Sequence, residues 1–347
     1  MIHELEERVL SRAEVIQAVE GGKPSRIPCV MTQWWGEGLR EQYGDRLDAL
    51  DRYPNDVVQL WITNPASYEK MNLSWEWNST GIHDADPILD DWAKLDEFIE
   101  KLPKPEFDEE LQRAAEAAVK ARKDDRYIML SWWNLFFERP WALRGMQELM
   151  IDYYTEPENV LRLHAALCDT YCAYIQTAHE WFAPDAFFSS DDLGHQTGSM
   201  MSPALFHELI YPFYKKIGDA LKQCKMHFWL HSCGDNTELL DDLISAGLDV
   251  FHPVQKHTMD APVLVDRFAD RVTFLAGIDV QHGLQEKDVA GVRAEVRELI
   301  DTFDRPRGRM CIAAGNGIVS GTPYENIEAF LDEAVKYGAQ HRSRMNG

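Results

Sequence analysis

The chain has 347 residues, of which 45% are hydrophobic, and its formal net charge is −23. This length suits one large globular domain, and the strong negative charge disfavours binding to nucleic acids, anionic membranes and polyanionic substrates. No stretch approaches the roughly 18 uninterrupted apolar residues of a membrane span, and the charged N-terminus lacks the apolar segment of a signal peptide. We therefore expect a single domain over residues 1–347, a cytoplasmic location, and neither nucleic-acid nor membrane partners.

Short apolar or β-rich runs alternate with helical patterns along the chain. The runs predict eight strands, at 26–32, 56–62, 127–133, 184–190, 225–231, 248–254, 272–278 and 308–314. Apolar spacing indicates helices between them, for example over 203–223, 236–246, 286–303 and 323–337. The alternation predicts an α/β protein of the (β/α)8 TIM-barrel class, with an N-terminal extension and an insertion after the second strand. A doubly wound sheet is the alternative, but the chain lacks the glycine-rich phosphate turn typical of that fold.

The most informative motif is His231-Ser-Cys233-Gly, directly after the fifth predicted strand. Two side chains so spaced at a strand end can point into one pocket, and imidazole and thiolate are ligands that zinc prefers. A structural histidine is the alternative. A catalytic zinc needs a third protein ligand, for which Cys311, His252, Asp279 and a carboxylate from the end of strand 4 are candidates.

Barrel enzymes place their sites at the carboxyl ends of the strands, where this chain carries several tryptophans and polar residues. Tryptophans there either pack between barrel and helices or hold a flat or cationic substrate. Adjacent residues on an extended segment point opposite ways, so only one of Asp191 and Asp192 faces the pocket, unless both lie in a solvated turn. We favour Asp192 as the catalytic acid or base, together with His231. The predicted substrate-contacting residues are Gln33, Trp34, Trp61, Trp132, Asn134, His195, Gln255, Asp279 and Asn316.

In order and spacing, several motifs resemble those of the uroporphyrinogen decarboxylase superfamily over nearly the whole chain. They include Pro24-Ser-Arg26-Ile-Pro28, Asp191-Asp-Leu-Gly-His-Gln196, His231-Ser-Cys-Gly234, Gly277-Ile-Asp279 and Gly315-Asn-Gly-Ile318. The resemblance implies a (β/α)8 barrel. Decarboxylases of this superfamily carry two arginines after the first strand, whereas the matching stretch Met31-Thr-Gln-Trp-Trp-Gly-Glu37 has none. A tetrapyrrole with eight carboxylates would be poorly held without them.

The corrinoid-dependent methyltransferase branch of the superfamily is more similar. Its members carry His-x-Cys after strand 5, which implies that His231 and Cys233 bind zinc. Thiol-methylating members carry a cysteine where this chain has Asn316, a departure that weakens both the three-ligand site and a thiol acceptor. The resemblance also implies a separate corrinoid protein as partner, docked over the barrel mouth. Relatives often pair, so a homodimer is compatible with it.

The function implied is transfer of a methyl group from a small methoxylated donor to the cobalt of the corrinoid, and we favour an aromatic donor. Zinc at His231 and Cys233 would act as a Lewis acid, or Asp192 would act as a proton donor. The alternatives are a methylamine or thiol substrate, a lyase acting on a carboxylated ring, and a non-catalytic corrinoid-binding protein.

Overall fold

The computed structural model describes residues 8–31, 34–62, 87–106, 109–304 and 308–346. The described strands are β1 (Val57–Trp61), β2 (Tyr127–Ser131), β3 (Ala186–Ser190), β4 (Gly194–His195), β5 (Gly198–Ser199), β6 (His227–His231), β7 (Val250–His252), β8 (Thr273–Ile278) and β9 (Met310–Ala314). Seven of them form one parallel sheet in the order β1-β2-β3-β6-β7-β8-β9, and β4 and β5 form a separate antiparallel ribbon. The described residues therefore have an α/β, TIM-barrel-like fold.

Helices alternate with the strands. They are α1 (Arg12–Glu20), α2 (Leu39–Tyr43), α3 (Leu95–Glu100), α4 (Glu109–Lys123), α5 (Glu138–Arg144), α6 (Met146–Thr155), α7 (Pro157–Phe182), α8 (Pro203–Leu209), α9 (Tyr211–Gln223), α10 (Leu240–Ala246), α11 (Ala261–Phe268), α12 (Val289–Phe303) and α13 (Tyr324–Asn346). Short 3-10 helices cover Gly44–Arg52 and Trp92–Lys94. The helix predicted over 203–223 is divided at Ile210, because Pro212 lacks the amide hydrogen that a continuous helix needs.

In the first predicted strand, 26–32, of which residues 26–31 are described, Cys29 forms an isolated bridge with Ile312 of β9. Val30 N donates to the carbonyl of Ile312 in β9, and Ile312 N donates to Pro28 O, both at 2.9 Å. On the other side, Asp56 N, just before β1, donates to Cys29 O at 2.8 Å. The segment thus lies between β9 and β1, and Pro28, which has no N–H, limits its ladder to a single bridge.

A buried ion pair fixes this segment. The guanidinium of Arg26 donates to both carboxylate oxygens of Asp56, at 2.7 and 2.8 Å, and both side chains are fully buried. Asp56 also accepts from the backbone amides of Leu10 and Cys29. These four donors satisfy a carboxylate that would otherwise be very costly to bury.

Most strands of the parallel sheet are buried on both faces, which explains their nearly continuous apolar sequences. Every residue of β2, β3, β8 and β9 is buried. Helix α1 precedes the first bridge, and α3 and α4 lie between β1 and β2, where the sequence predicts an insertion. Residues 63–86 of that insertion lie outside the described part. Among the described helices, none combines the length and apolarity needed to cross a bilayer.

Candidate metal centre and active site

Parallel pairing brings the key residues to one edge of the sheet. His231 is the last residue of β6; it pairs with Ser190 at the end of β3 on one side and with His252 at the end of β7 on the other. Asp192 follows β3 by two residues, and Cys233 follows β6 by two residues. The carboxyl ends of three neighbouring strands thus supply a carboxylate, a thiol and two imidazoles to one place.

Asp192, His231 and Cys233 form a group with the spacing of a metal site, because their ligand atoms all lie within 4.8 Å of one another. His231 Nε2 is 3.3 Å from Cys233 Sγ and 3.7 Å from Asp192 Oδ1. With zinc bonds of about 2.0–2.3 Å, the ligand atoms of a tetrahedral zinc lie roughly 3.3–3.6 Å apart. The residues present therefore fit zinc, with Asp192 as the candidate third ligand. This is the carboxylate that follows the fourth predicted strand, 184–190, which is β3 of the structure.

The other three candidates for the third ligand are not members of this group. Cys311 is fully buried in β9, where burial raises the pKa of its thiol. Asp279 accepts from Gln281 N at 2.9 Å and pairs with His257 Nε2 at 3.1 Å. His252 uses both ring nitrogens in other hydrogen bonds, described next.

A chain of two imidazoles lies behind the metal-facing atom of His231. His231 Nδ1 is 2.7 Å from His252 Nδ1, and His252 Nε2 is 2.9 Å from the carbonyl oxygen of Ala314 in β9. Burial lowers the pKa of His231 and holds that of His252 well below its ordinary range, which favours the neutral form of both rings. The indole of Trp34 stacks on His252 with ring centroids 4.3 Å apart.

The loop after β6 is held by a close approach of two backbones. Cys233 N donates to Asp192 Oδ1 at 2.8 Å, and Gly234 N donates to Gln255 Oε1 at 2.8 Å. Gly234 has φ +79°, and a Cβ there would lie 2.2 Å from the carbonyl carbon of Gly194. The glycine of the His-Ser-Cys-Gly motif is therefore required by its contact with the ribbon that begins at Gly194.

Carboxyl groups crowd this end of the sheet. Burial, followed by the charges of Asp192 and Glu138, raises the pKa of the Cys233 thiol. Burial, followed by the charges of Asp192 and Asp191, raises the pKa of Glu138 well above its ordinary range. Ser190 Oγ donates to Glu138 Oε2 at 2.6 Å. A divalent cation would relieve this repulsion and would replace the thiol proton of Cys233.

Asp191 and Asp192 face opposite ways, as their alternation predicts. The fully buried Asp191 accepts hydrogen bonds from the backbone amides of Phe136, Phe137 and Glu138 and from Tyr214 Oη. Burial raises its pKa to about 6 in spite of these bonds. Asp191 therefore holds the start of α5, and the carboxylate in the cluster is that of Asp192.

Two of the predicted substrate-stacking tryptophans are buried in packing instead. Trp132 is only 2% exposed and packs edge-on against Tyr171 and Tyr174 of α7. The adjacent Trp133 points the other way, edge-on to the His231 ring at 6.1 Å. Trp34 is 3% exposed and packs against the ring of His252.

The partly exposed aromatic wall of the site consists of Trp61 and Trp133. Their rings are stacked with centroids 5.0 Å apart. Both lie edge-on to the buried Phe188 of β3. Trp61 thus remains a candidate for substrate contact, and Trp133, rather than Trp132, is the candidate beside it.

Three predicted polar residues share a small pocket of about 140 Å³ beside the cluster, namely Gln255, Asp279 and Asn316. Asn316 Nδ2 donates to Cys233 Sγ at 3.6 Å, which joins the pocket to the candidate metal ligands. His257 and His282 also line it. The pocket offers hydrogen-bonding groups for the polar end of a small molecule.

The remaining predicted residues are divided. Asn134 is buried, and its Nδ2 finds no hydrogen-bond partner among the described residues. His195 is exposed on β4 and is not one of the three side chains of the candidate metal group. Gln33 lies outside the described residues. The predicted site residues do not include Glu138 or Trp133, which both follow β2. The one available signal for Trp133 was that adjacent side chains on an extended segment point opposite ways, so that Trp132 and Trp133 cannot both face the helices.

Comparison with known proteins assigns the chain to a family. Residues 81–337 match the model of the uroporphyrinogen decarboxylase (URO-D) family, and the chain belongs to it, as its motifs predict. The uroporphyrinogen decarboxylase of Prochlorococcus marinus (strain MIT 9515) is 27% identical over 140 residues, which cover 39% of this chain and 38% of that protein. The match thus spans well under half of this relative.

A solved structure has a similar fold along almost the whole chain. It is described as a methyltransferase from Methanosarcina mazei, and it superposes with a TM-score of 0.69 at 17% identity, covering 95% of this chain and 99% of that one. At this identity the likeness shows a shared fold.

Proposed function

We propose that this protein is a methyltransferase that moves a methyl group from a small methoxylated aromatic donor to the cobalt of a corrinoid carried by a partner protein. The observation that carries the proposal is the Asp192, His231 and Cys233 group, whose donor atoms all lie within 4.8 Å of one another at the carboxyl end of the sheet. Membership of the URO-D family and the fold shared with a methyltransferase support it.

The alternative of porphyrinogen decarboxylation has less support. The stretch Met31–Glu37 contains no arginine, although the substrate class would bring eight carboxylates into the site. A net charge of −23 also opposes a polyanion. A neutral methoxylated ring needs no arginine partners and is not repelled by the negative charge of the protein.

The site offers separate places for the two ends of such a donor. Trp61 and Trp133 form a partly exposed aromatic wall that can contact a planar ring. Gln255 and Asn316 line the small polar pocket on the Cys233 side, where hydroxyl or carboxyl substituents of the ring could be bound. A donor placed between them would present its methoxy group close to Cys233.

Each ligand residue has a defined task in this proposal. His231 Nε2, Cys233 Sγ and an Asp192 oxygen would hold zinc and leave a fourth position open. When bound, zinc supplies Lewis acidity that makes the ether oxygen a better leaving group. Cys233 N already donates to Asp192 Oδ1, which holds the carboxylate next to His231 and favours a ligand role over that of a free proton donor. Trp34 and His252 close the rear of the site against water.

Metal content tests the proposal. Mass spectrometry of the purified protein is expected to find about one zinc per chain, and His231→Ala, Cys233→Ser and Asp192→Asn are expected to lose it. Cys311→Ser is the matched control, because this buried cysteine lies outside the candidate group. Absence of zinc from the wild type, or its retention in all three ligand variants, would remove the metal from the proposal.

Substrate assays separate the chemical classes. Methoxyaryl and methylated ammonium compounds would be supplied with a reduced corrinoid protein, and methylation of the cobalt followed by absorbance. Turnover of methoxyaryl compounds alone is the expected result. Turnover of methylated amines alone would change the donor class, and release of carbon dioxide from uroporphyrinogen would establish the lyase in place of the transferase.

A further inference from the structure

His252 is a buried histidine whose protonation pattern can be read from its neighbours. The carbonyl oxygen of Ala314 can only accept a hydrogen bond, so His252 Nε2, at 2.9 Å, must carry the proton. The ring is 1% exposed and contacts a carbonyl, an imidazole and the indole of Trp34, and no carboxylate of the described residues is paired to it. An imidazolium in these surroundings would be strongly disfavoured. His252 Nδ1 therefore holds a lone pair.

The same logic fixes the tautomer of His231. Its Nδ1 lies 2.7 Å from the lone pair of His252 Nδ1, so His231 Nδ1 must be the donor. In a neutral ring, Nε2 then has the free lone pair. That atom is the one that faces Cys233 Sγ, at 3.3 Å, and Asp192 Oδ1, at 3.7 Å.

Building on the zinc site proposed above, we infer that His252 is a positioning residue: it holds His231 in the Nδ1-protonated tautomer and keeps Nε2 free as the metal ligand. Hydrogen bonds run in one direction, from His231 to His252 and from His252 to Ala314 O. A ligand histidine whose other nitrogen donates in this way is oriented and made more basic, and loss of such a partner typically weakens metal binding about 10- to 100-fold. Trp34, stacked on His252, keeps that ring in the plane the chain requires.

Two substitutions separate the two hydrogen bonds of His252. In His252→Asn, the side-chain oxygen takes the place of Nδ1 and can accept from His231, whereas the bond to Ala314 is lost. In His252→Gln, the amide nitrogen takes the place of Nε2 and can donate to Ala314, whereas the acceptor for His231 is lost. Each variant gives up one buried hydrogen bond, so their structural penalties are matched.

Zinc affinity, measured by competition with a chromophoric chelator, is the first readout. His252→Gln is expected to bind zinc about 10- to 100-fold more weakly than wild type, and His252→Asn close to wild type. Equal losses in both variants, or none in either, would overturn the positioning role while leaving the zinc site of the proposed function in place.

The tautomer itself is the second readout, and it does not depend on metal. Two-bond proton–nitrogen spectra of the metal-free wild type, labelled with nitrogen-15 in histidine, are expected to show His231 protonated on Nδ1 and His252 on Nε2. The variants assign the signals. An Nε2-protonated His231 would overturn the inference even if zinc binds. If the wild type binds no zinc, the zinc-based proposal fails and these spectra alone decide the tautomer.

Discussion

Replacing Gly234 by alanine should damage the candidate metal centre through the backbone, without removing any ligand. The added Cβ would lie 2.2 Å from the carbonyl carbon of Gly194 and 2.5 Å from the amide nitrogen of His195. Ordinary contact begins at 3.4 Å, so one of the two backbones must move by about 1.2 Å. Because Cys233 is the preceding residue, its thiol moves with the loop.

Two effects contribute to the expected loss of stability. An alanine at φ +79° is strained by about 1–2 kcal/mol, and overpacking adds about 1–3 kcal/mol. A displacement of about 1 Å in a preorganised site can lower its performance about 100-fold, so zinc affinity is expected to fall by about 10- to 100-fold. Zinc competition and urea unfolding measure the two consequences separately.

Gly145→Ala is the matched control for backbone strain. Gly145 has φ +83°, yet a Cβ there would have nothing within 4 Å. This variant should lose stability from strain alone and should keep wild-type zinc affinity. If Gly234→Ala binds zinc as tightly as Gly145→Ala does, then the close approach of Gly234 to Gly194 is not what holds Cys233 in place.

Three further outcomes are expected. Trp132→Ala should destabilise the fold by about 3–5 kcal/mol, measured by urea unfolding, and should keep its zinc. Trp133→Ala should mainly weaken binding of a methoxyaromatic compound, measured by ligand titration. The reverse pattern would show that Trp132, and not Trp133, contacts the substrate. Burial lowers the pKa of His164 from 6.5 to about 4. The neutral ring therefore contributes fully to the free energy of unfolding above pH 6.5, and this contribution is lost as the pH falls towards 4. Between pH 7 and 5 the loss of unfolding free energy is about 2 kcal/mol. Urea unfolding at several pH values should show that the stability of His164→Gln falls less steeply with decreasing pH than that of the wild type. Gly218→Ala would place a Cβ 1.8 Å from Ala246 O, so the melting temperature should fall while zinc is retained; an unchanged melting temperature would contradict the packing of α9 against α10.

Most strands of the parallel sheet were predictable because burial on both faces makes them continuous apolar runs, whereas the short ribbon of β4 and β5 has no such run. The run 127–133 contains β2, which ends at Ser131, and the run 248–254 shortens to β7, which ends before Pro253. The exception is 26–32, where Pro28 cannot donate to a ladder. Apolar patterning indicates where a strand lies, whereas its ends depend on which amides find partners.

The candidate site was only partly predictable, because its geometry depends on register between distant strands. Alternation requires the side chains of Asp191 and Asp192 to point to opposite sides, so that only one of them can face the site. Alternation also requires Trp132 and Trp133 to diverge, but one sequence does not say which of them faces the helices. The contact between His231 and His252 needs the pairing of β6 with β7, which places these residues opposite each other. No local pattern in the sequence contains that register.

The identity of the third ligand bears on which donor the proposed site would accept. In thiol-methylating relatives, the resemblance implies a second cysteine at the position of Asn316, whereas here Asn316 donates to the sulfur of Cys233 and the candidate third donor is the Asp192 carboxylate. Two anionic ligands and one neutral imidazole neutralise a divalent ion in either arrangement. A carboxylate is a harder ligand than a thiolate, and hard ligands suit oxygen chemistry better than sulfur chemistry. The exchange of sulfur for oxygen among the candidate ligands therefore favours an ether oxygen over a thiol at the open position, in agreement with a methoxylated donor.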